Sequence, residues 1–118
     1  MNIEQLHEYC LSKKGSFEDY PFGEETMCFK VAGKIFAITS FSIPLSVNLK
    51  CDPELAAELR ERYEEVQPGY HMNKKHWNTV ITEGSIPDRE LKKMIDHSYE
   101  LIVKGLSKKQ RDLLEKKE

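Results

Sequence analysis

Residues 26–40 read TMCFKVAGKIFAITS. In an extended chain Met27, Phe29 and Val31 fall on one side, and Cys28 and Lys30 on the other. Ala32-Gly33-Lys34 forms a tight connection. The run that follows, KIFAITS, is apolar enough to be covered in part on both faces. Residues 26–39 are therefore predicted as a β-hairpin. The run LSVNLK, residues 45–50, adds a third strand with Leu45, Val47 and Leu49 inward and Ser46, Asn48 and Lys50 outward.

Helical spacing brackets these strands. Asn2 can cap a first helix over residues 2–14, whose stripe is Ile3, Leu6, Cys10 and Leu11. Gly15 stops it, and SFEDYPFGEE (16–25) reads as a turn-rich connection around Pro21 and Gly23. Asp52-Pro53-Glu54 supplies a capping oxygen, a proline at the first helical position and an acid at the positive end of the helix dipole. Leu55, Leu59 and Tyr63 mark the buried stripe of that helix. Pro68-Gly69 ends the region, Tyr70–Met72 is read as a short edge strand, and HWNTVIT (76–82) as the last strand. The parity of that strand is ambiguous, because Trp77, Thr79 and Ile81 oppose Val80. A third helix is expected from Asp88 to Lys104 with Leu91, Met94, Ile95, Ser98, Leu101 and Ile102 on its core face. Gly105 closes it, and Ser107 caps a short, mostly solvated last helix.

This order predicts a single α+β domain over residues 1–118, a two-layer sandwich with an antiparallel sheet and helices packed on one face. At 118 residues with eleven aromatics the chain is long enough for one core and too short for two. Three cysteines at wide spacing, Cys10, Cys28 and Cys51, form no CxxC pair, so neither a zinc ribbon nor a disulfide framework is indicated. The polar N-terminal segment lacks the layout of a signal peptide, and no run is long and apolar enough to span a membrane. The expectation is a soluble cytoplasmic protein with reduced thiols and no membrane association.

Net charge is −2, so an argument for nucleic acid must rest on local segregation of charge. Residues 26–51 carry Lys30, Lys34 and Lys50 without an acid, and residues 66–82 carry His71, Lys74, Lys75 and His76, again without one. The predicted sheet thus holds five lysines and no carboxylate. Strands disfavour Asp and Glu in any case, and lysines protect sheet edges, which gives a purely structural account. The functional account is an electropositive face that meets phosphate, with Asn48, Asn73 and Asn78 for hydrogen bonds and Trp77 to stack or to buttress the loop. Such a face implies weak, salt-sensitive binding.

His71 and His76 are five apart across a turn and lack a third ligand in that stretch, so no metal site is expected. No GxSxG, P-loop or glycine-rich phosphate cradle is present, and nothing local activates Cys28 or Cys51. No enzyme and no cofactor are expected.

The run Pro68-Gly69-Tyr70-His71-Met72-Asn73-Lys74-Lys75-His76-Trp77-Asn78 strongly resembles the signature of the MmcQ/YjbR family of small bacterial proteins. Pro21-Phe22-Gly23, Phe29-Lys30-Val31, Gly33-Lys34-Ile35-Phe36, Leu49-Lys50-Cys51 and Ser98-Tyr99 fit it in order, from the first helix to about Leu106. The resemblance implies a CyaY-like fold and a DNA-binding role with a "double wing" arrangement. By position it carries over His71, Asn73, Lys74, Lys75, His76, Trp77 and Asn78, with Lys30, Lys34 and Lys50 on the strands. The fold's name also suggests frataxin-type iron binders, which depend on an acidic helix ridge. Here Lys13 and Lys14 dilute Glu4 and Glu8. The alternatives to DNA are a protein-interaction domain using the open sheet face, and a small-molecule or metal site around His71, His76 and a cysteine.

Overall fold

The computed structural model describes residues 1–69 and 72–117. Helix α1 (Ile3–Leu11) starts at Asn2, whose side chain accepts from the Gln5 N–H while the Gln5 side chain accepts from the Asn2 N–H. Helix α2 (Pro53–Arg62) is capped by Asp52, helix α3 spans Asp88–Lys104 and ends at Gly105, and helix α4 (Lys108–Glu115) carries a capping box from Ser107. The strands are β1 (Ser16–Asp19), β2 (Thr26–Val31), β3 (Lys34–Ser40), β4 (Ser46–Lys50), β5 (Val66–Pro68) and β6 (Trp77–Ile81). They form one antiparallel sheet in the order β1-β2-β3-β4-β6-β5. The hairpin, the third strand and the α+β layering match the sequence reading.

Two strands differ from that reading. Residues 16–19, expected as part of a turn-rich connection, form edge strand β1. The segment has one large apolar residue and two acids, so strand propensity gave no signal; pairing with β2 decides it. A second edge strand absent from the reading lies at Val66–Pro68, before the glycine; of the segment Tyr70–Met72 expected as an edge strand, Tyr70 and His71 lie outside the described residues. Because β1 carries Glu18 and Asp19, the sheet is not free of acids, and that expectation is corrected.

α3 packs across β2, β3 and β4, α1 against β1, and α2 against β5. The covered face of the sheet presents Phe29, Val31, Phe36, Ala37, Val47, Leu49, Val66 and Val80. Phe36 and Ala37 both point inward because the β2–β3 register shifts after Phe29: Phe29 faces Ala37, whereas Lys30 faces Ile35. The bulge lets Phe36 meet Phe29 and Tyr99, with ring centroids 6.5 and 5.3 Å away. Val80 settles the parity of β6: Asn78 and Val80 face the helices, and Trp77, Thr79 and Ile81 face the open side.

The three thiols are buried and unpaired. Burial pushes the Cys10 thiol up to about 12 and the Cys51 thiol up to about 11. A group whose folded pKa is raised contributes stability that is intact below its unfolded value and lost as pH rises toward the folded one. Stability should therefore decline above about pH 9, with Cys10 alone withdrawing about 1 kcal/mol by pH 10. Burial moves the Tyr9 and Tyr99 hydroxyls in the same direction. Urea unfolding under reducing conditions at about pH 8 and pH 10 should show a lower midpoint at the higher pH, and Cys10→Ala should narrow the gap. Equal midpoints for the parent protein would contradict this account.

Candidate nucleic-acid interface

Residues 72–76 close a single turn in front of β6. The Met72 N–H donates to the Gly69 carbonyl at 2.9 Å, and the Asn73 carbonyl accepts from the N–H groups of His76 (3.1 Å) and Trp77 (2.9 Å). The Asn73 side chain folds back into the turn, its Oδ1 accepting from the Lys75 N–H at 2.9 Å. Gly69 lies in close approach to β6: a Cβ at that position would lie 3.0 Å from the Trp77 Cβ and 3.1 Å from its carbonyl oxygen, so any side chain there would push on the strand. Its N–H donates to that carbonyl at 2.8 Å. Lys74 and Lys75 are exposed on the turn, and His76 is half-buried, its carbonyl accepting from the Cys51 N–H at 2.7 Å.

The turn is fixed from below by Arg60 on α2. Its Nε donates to Asn78 Oδ1 at 2.9 Å, and its Nη2 to the carbonyls of Lys74 (2.6 Å) and Trp77 (3.3 Å). One planar guanidinium thus ties a helix, a strand and a loop backbone together, a geometry a lysine cannot reproduce. Sequence reasoning missed Arg60, which sits in a charge-rich helix end. The usable signal was Asn78: once Val80 is inward so is Asn78, and a buried amide needs a partner. Asn78 is only 2% exposed, so it faces the helices and Arg60 rather than the open face assumed for phosphate contact.

Trp77 is half-buried on the open face, directly opposite Lys50 on β4. It is not among the buried core residues. Lys30 shares the open face but forms an ion pair with Asp19 at 2.5 Å, the partner that β1 brings. Lys30 in turn holds the Asp19 carboxyl below its ordinary value. Lys34 is exposed at the mouth of the β2–β3 turn, where Ala32 and Gly33 have φ of 52° and 78°. Asn48 accepts from the Thr79 hydroxyl at 2.6 Å across the strands. His71 lies outside the described residues.

Charge is segregated by sheet end more than by sheet face. Strands β1, β3 and β6 start at the end where β2, β4 and β5 finish. That end gathers Lys34, Lys50, Lys74 and Lys75, together with Lys13 and Lys14 ahead of β1. Lys13 is bound to Asp96 and Lys14 donates to the Glu115 carbonyl at 3.0 Å. The opposite end carries Glu24 and Glu25 before β2, Glu64 and Glu65 before β5, and Glu83 after β6. A small net charge therefore coexists with a cluster of lysines at one sheet end, which a residue count along the chain does not reveal. Asp52 and Glu54 open α2 at that end too.

Among the described residues, no group of three or more His, Cys, Asp or Glu side chains is placed to hold a metal. No described helix is long and apolar enough to cross a membrane.

A family model described as YjbR matches residues 11–101. The uncharacterized protein YjbR of Escherichia coli K12 is 36% identical over 115 residues, covering 97% of this chain and 98% of the relative. The uncharacterized protein YbdF of Escherichia coli O157:H7 is 40% identical over 115 residues, with 92% and 93% covered. Among solved structures, the Deinococcus radiodurans protein DR2400 superposes with a TM-score of 0.89 at 38% identity, covering 96% of this chain and 87% of that one. A Pseudomonas syringae protein gives a TM-score of 0.76 at 29% identity, covering 86% and 98%.

Proposed function

The chain belongs to the YjbR family, and from that premise we propose that it is a non-enzymatic DNA-binding module of the bacterial cytoplasm. The observation that carries the reading is the Arg60-anchored turn, which presents Lys74 and Lys75 at the same sheet end as Lys34 and Lys50. These lysines contact phosphates by charge, and Trp77 beside Lys50 offers a ring edge or face to a base or sugar. The acidic far end orients the molecule, repelling the duplex from the wrong side.

Few cations make contact, so binding is weak and falls steeply with salt. With about three phosphate contacts, affinity drops about 40-fold between 50 and 200 mM salt. A fluorescence-anisotropy titration of duplex and single-stranded DNA at both salt concentrations checks this. The double variant Lys74→Ala/Lys75→Ala should bind about tenfold more weakly at low salt and reduce the salt slope by about two. Absence of binding at low salt, or a double variant that matches the parent, would remove the DNA reading.

A second reading is favoured by the apolar content of the open face. Phe17 on β1 is 45% exposed there, and Ile35, Ile38, Trp77 and Ile81 are half-exposed on the same face across to β6. A protein partner docked on this face survives nuclease treatment, whereas one bridged by DNA does not.

A further inference from the structure

A cleft of about 160 Å³ lies between α2 and α3 on the helix side of the sheet; Lys74 and Lys75 are not among its lining residues. Its floor is Leu49, Leu55, Leu59, Val80 and Met94, so water inside finds few partners. The volume is close to that of an apolar cavity able to take up benzene, which sets the occupant's body at about six carbons.

The rim is charged and unevenly neutralised. Glu90 and Lys93 pair at 3.4 Å, and the Arg89 Nε lies 3.9 Å from the same Glu90 oxygen. His97 Nε2 accepts from the Asp52 N–H at 3.1 Å, which leaves its Nδ1–H as a donor. Arg62, at the end of α2, makes no ion pair or hydrogen bond among the described residues. The rim therefore offers one uncommitted guanidinium and its single carboxylate is already engaged. That combination of a dry floor and a free cationic fork complements a carboxylate on a short hydrocarbon body and disfavours an amine.

The geometry points to a binding site for small monocarboxylates in the α2–α3 cleft, with the hydrocarbon chain on Leu55, Leu59 and Met94 and the carboxylate on Arg62. Lys50 and Asn78 also line the cleft, but the carboxylate site does not depend on the DNA reading, because Arg62 belongs to neither the turn nor its anchor.

Hexanoate, hexanol and hexylamine serve as probes of equal length and different head charge. Titration of the isotope-labelled protein should move backbone amide resonances of the cleft residues with hexanoate. Hexanol should act more weakly and hexylamine least. Arg62→Gln, a change at an exposed side chain, should weaken hexanoate about fivefold and leave hexanol unchanged. Leu55→Trp, which fills the mouth, should suppress both while the far-ultraviolet circular dichroism stays that of the parent. The proposal is overturned if hexanoate moves no cleft resonance, if hexylamine matches it, or if Arg62→Gln binds hexanoate as the parent does.

Discussion

Replacing Ser98 with alanine is expected to lower the unfolding free energy by about 3 kcal/mol, a large share of the stability of a domain this size. Ser98 on α3 is fully buried. Its hydroxyl donates to the Phe36 carbonyl at 2.6 Å and accepts from the Lys50 N–H at 2.9 Å. By extension of the β3–β4 register Phe36 and Lys50 stand opposite each other, so the hydroxyl sits where the ladder would otherwise close. Removing it leaves a buried donor and a buried acceptor unpaired, each costing about 1–3 kcal/mol. Thermal unfolding should shift down by about 10 °C. A shift under about 2 °C would mean that the two strands close the gap by direct pairing. The same contact locks the bulge that turns Phe36 into the core, so the loss should also change the near-ultraviolet signal of the Phe36–Tyr99 pair.

Arg60→Ala carries the second large effect, and it reads out twice. Stability should fall by about 2 kcal/mol, since Asn78 Oδ1 is left buried without its donor. The carbonyls of Lys74 and Trp77 lose the guanidinium as well, which frees the turn that positions Lys74 and Lys75. DNA affinity should then fall by about tenfold, although Arg60 itself need not touch phosphate. Arg60→Lys keeps the charge and loses the fork. If the guanidinium acts by positioning, this variant should behave like alanine in the DNA titration. Full affinity in Arg60→Lys would assign the effect to charge alone, and an unchanged unfolding midpoint in Arg60→Ala would show that the anchor holds nothing.

The elements read from the sequence were those with strong local periodicity. Alternation in TMCFKV and LSVNLK gave β2 and β4, and the 3.6-residue stripe Leu91-Met94-Ile95-Ser98-Leu101-Ile102, of which all but Leu101 are buried, gave α3. Local capping chemistry placed the starts of α1, α2 and α4. Strand β1 escaped because a four-residue edge strand with two acids owes its existence to its neighbour and carries no pattern of its own. The face of Trp77 escaped because Trp and Val favour strands equally and differ in parity; only the packing of Val80 against the helices chose between them.

The candidate site divides along the same line. By itself the sequence determined the fold class, the cationic run Lys74-Lys75 and the turn around Asn73, all set by contacts between residues near in the chain. The tertiary structure alone decided that Asp19 would neutralise Lys30, that Asn78 would turn away to hold Arg60, and that lysines from four distant segments would meet at one sheet end. Periodicity fixes which way a side chain points within its own element, but its partners depend on strand order and direction. Those follow from burying all the apolar faces at once, a condition that no single stretch of the chain contains.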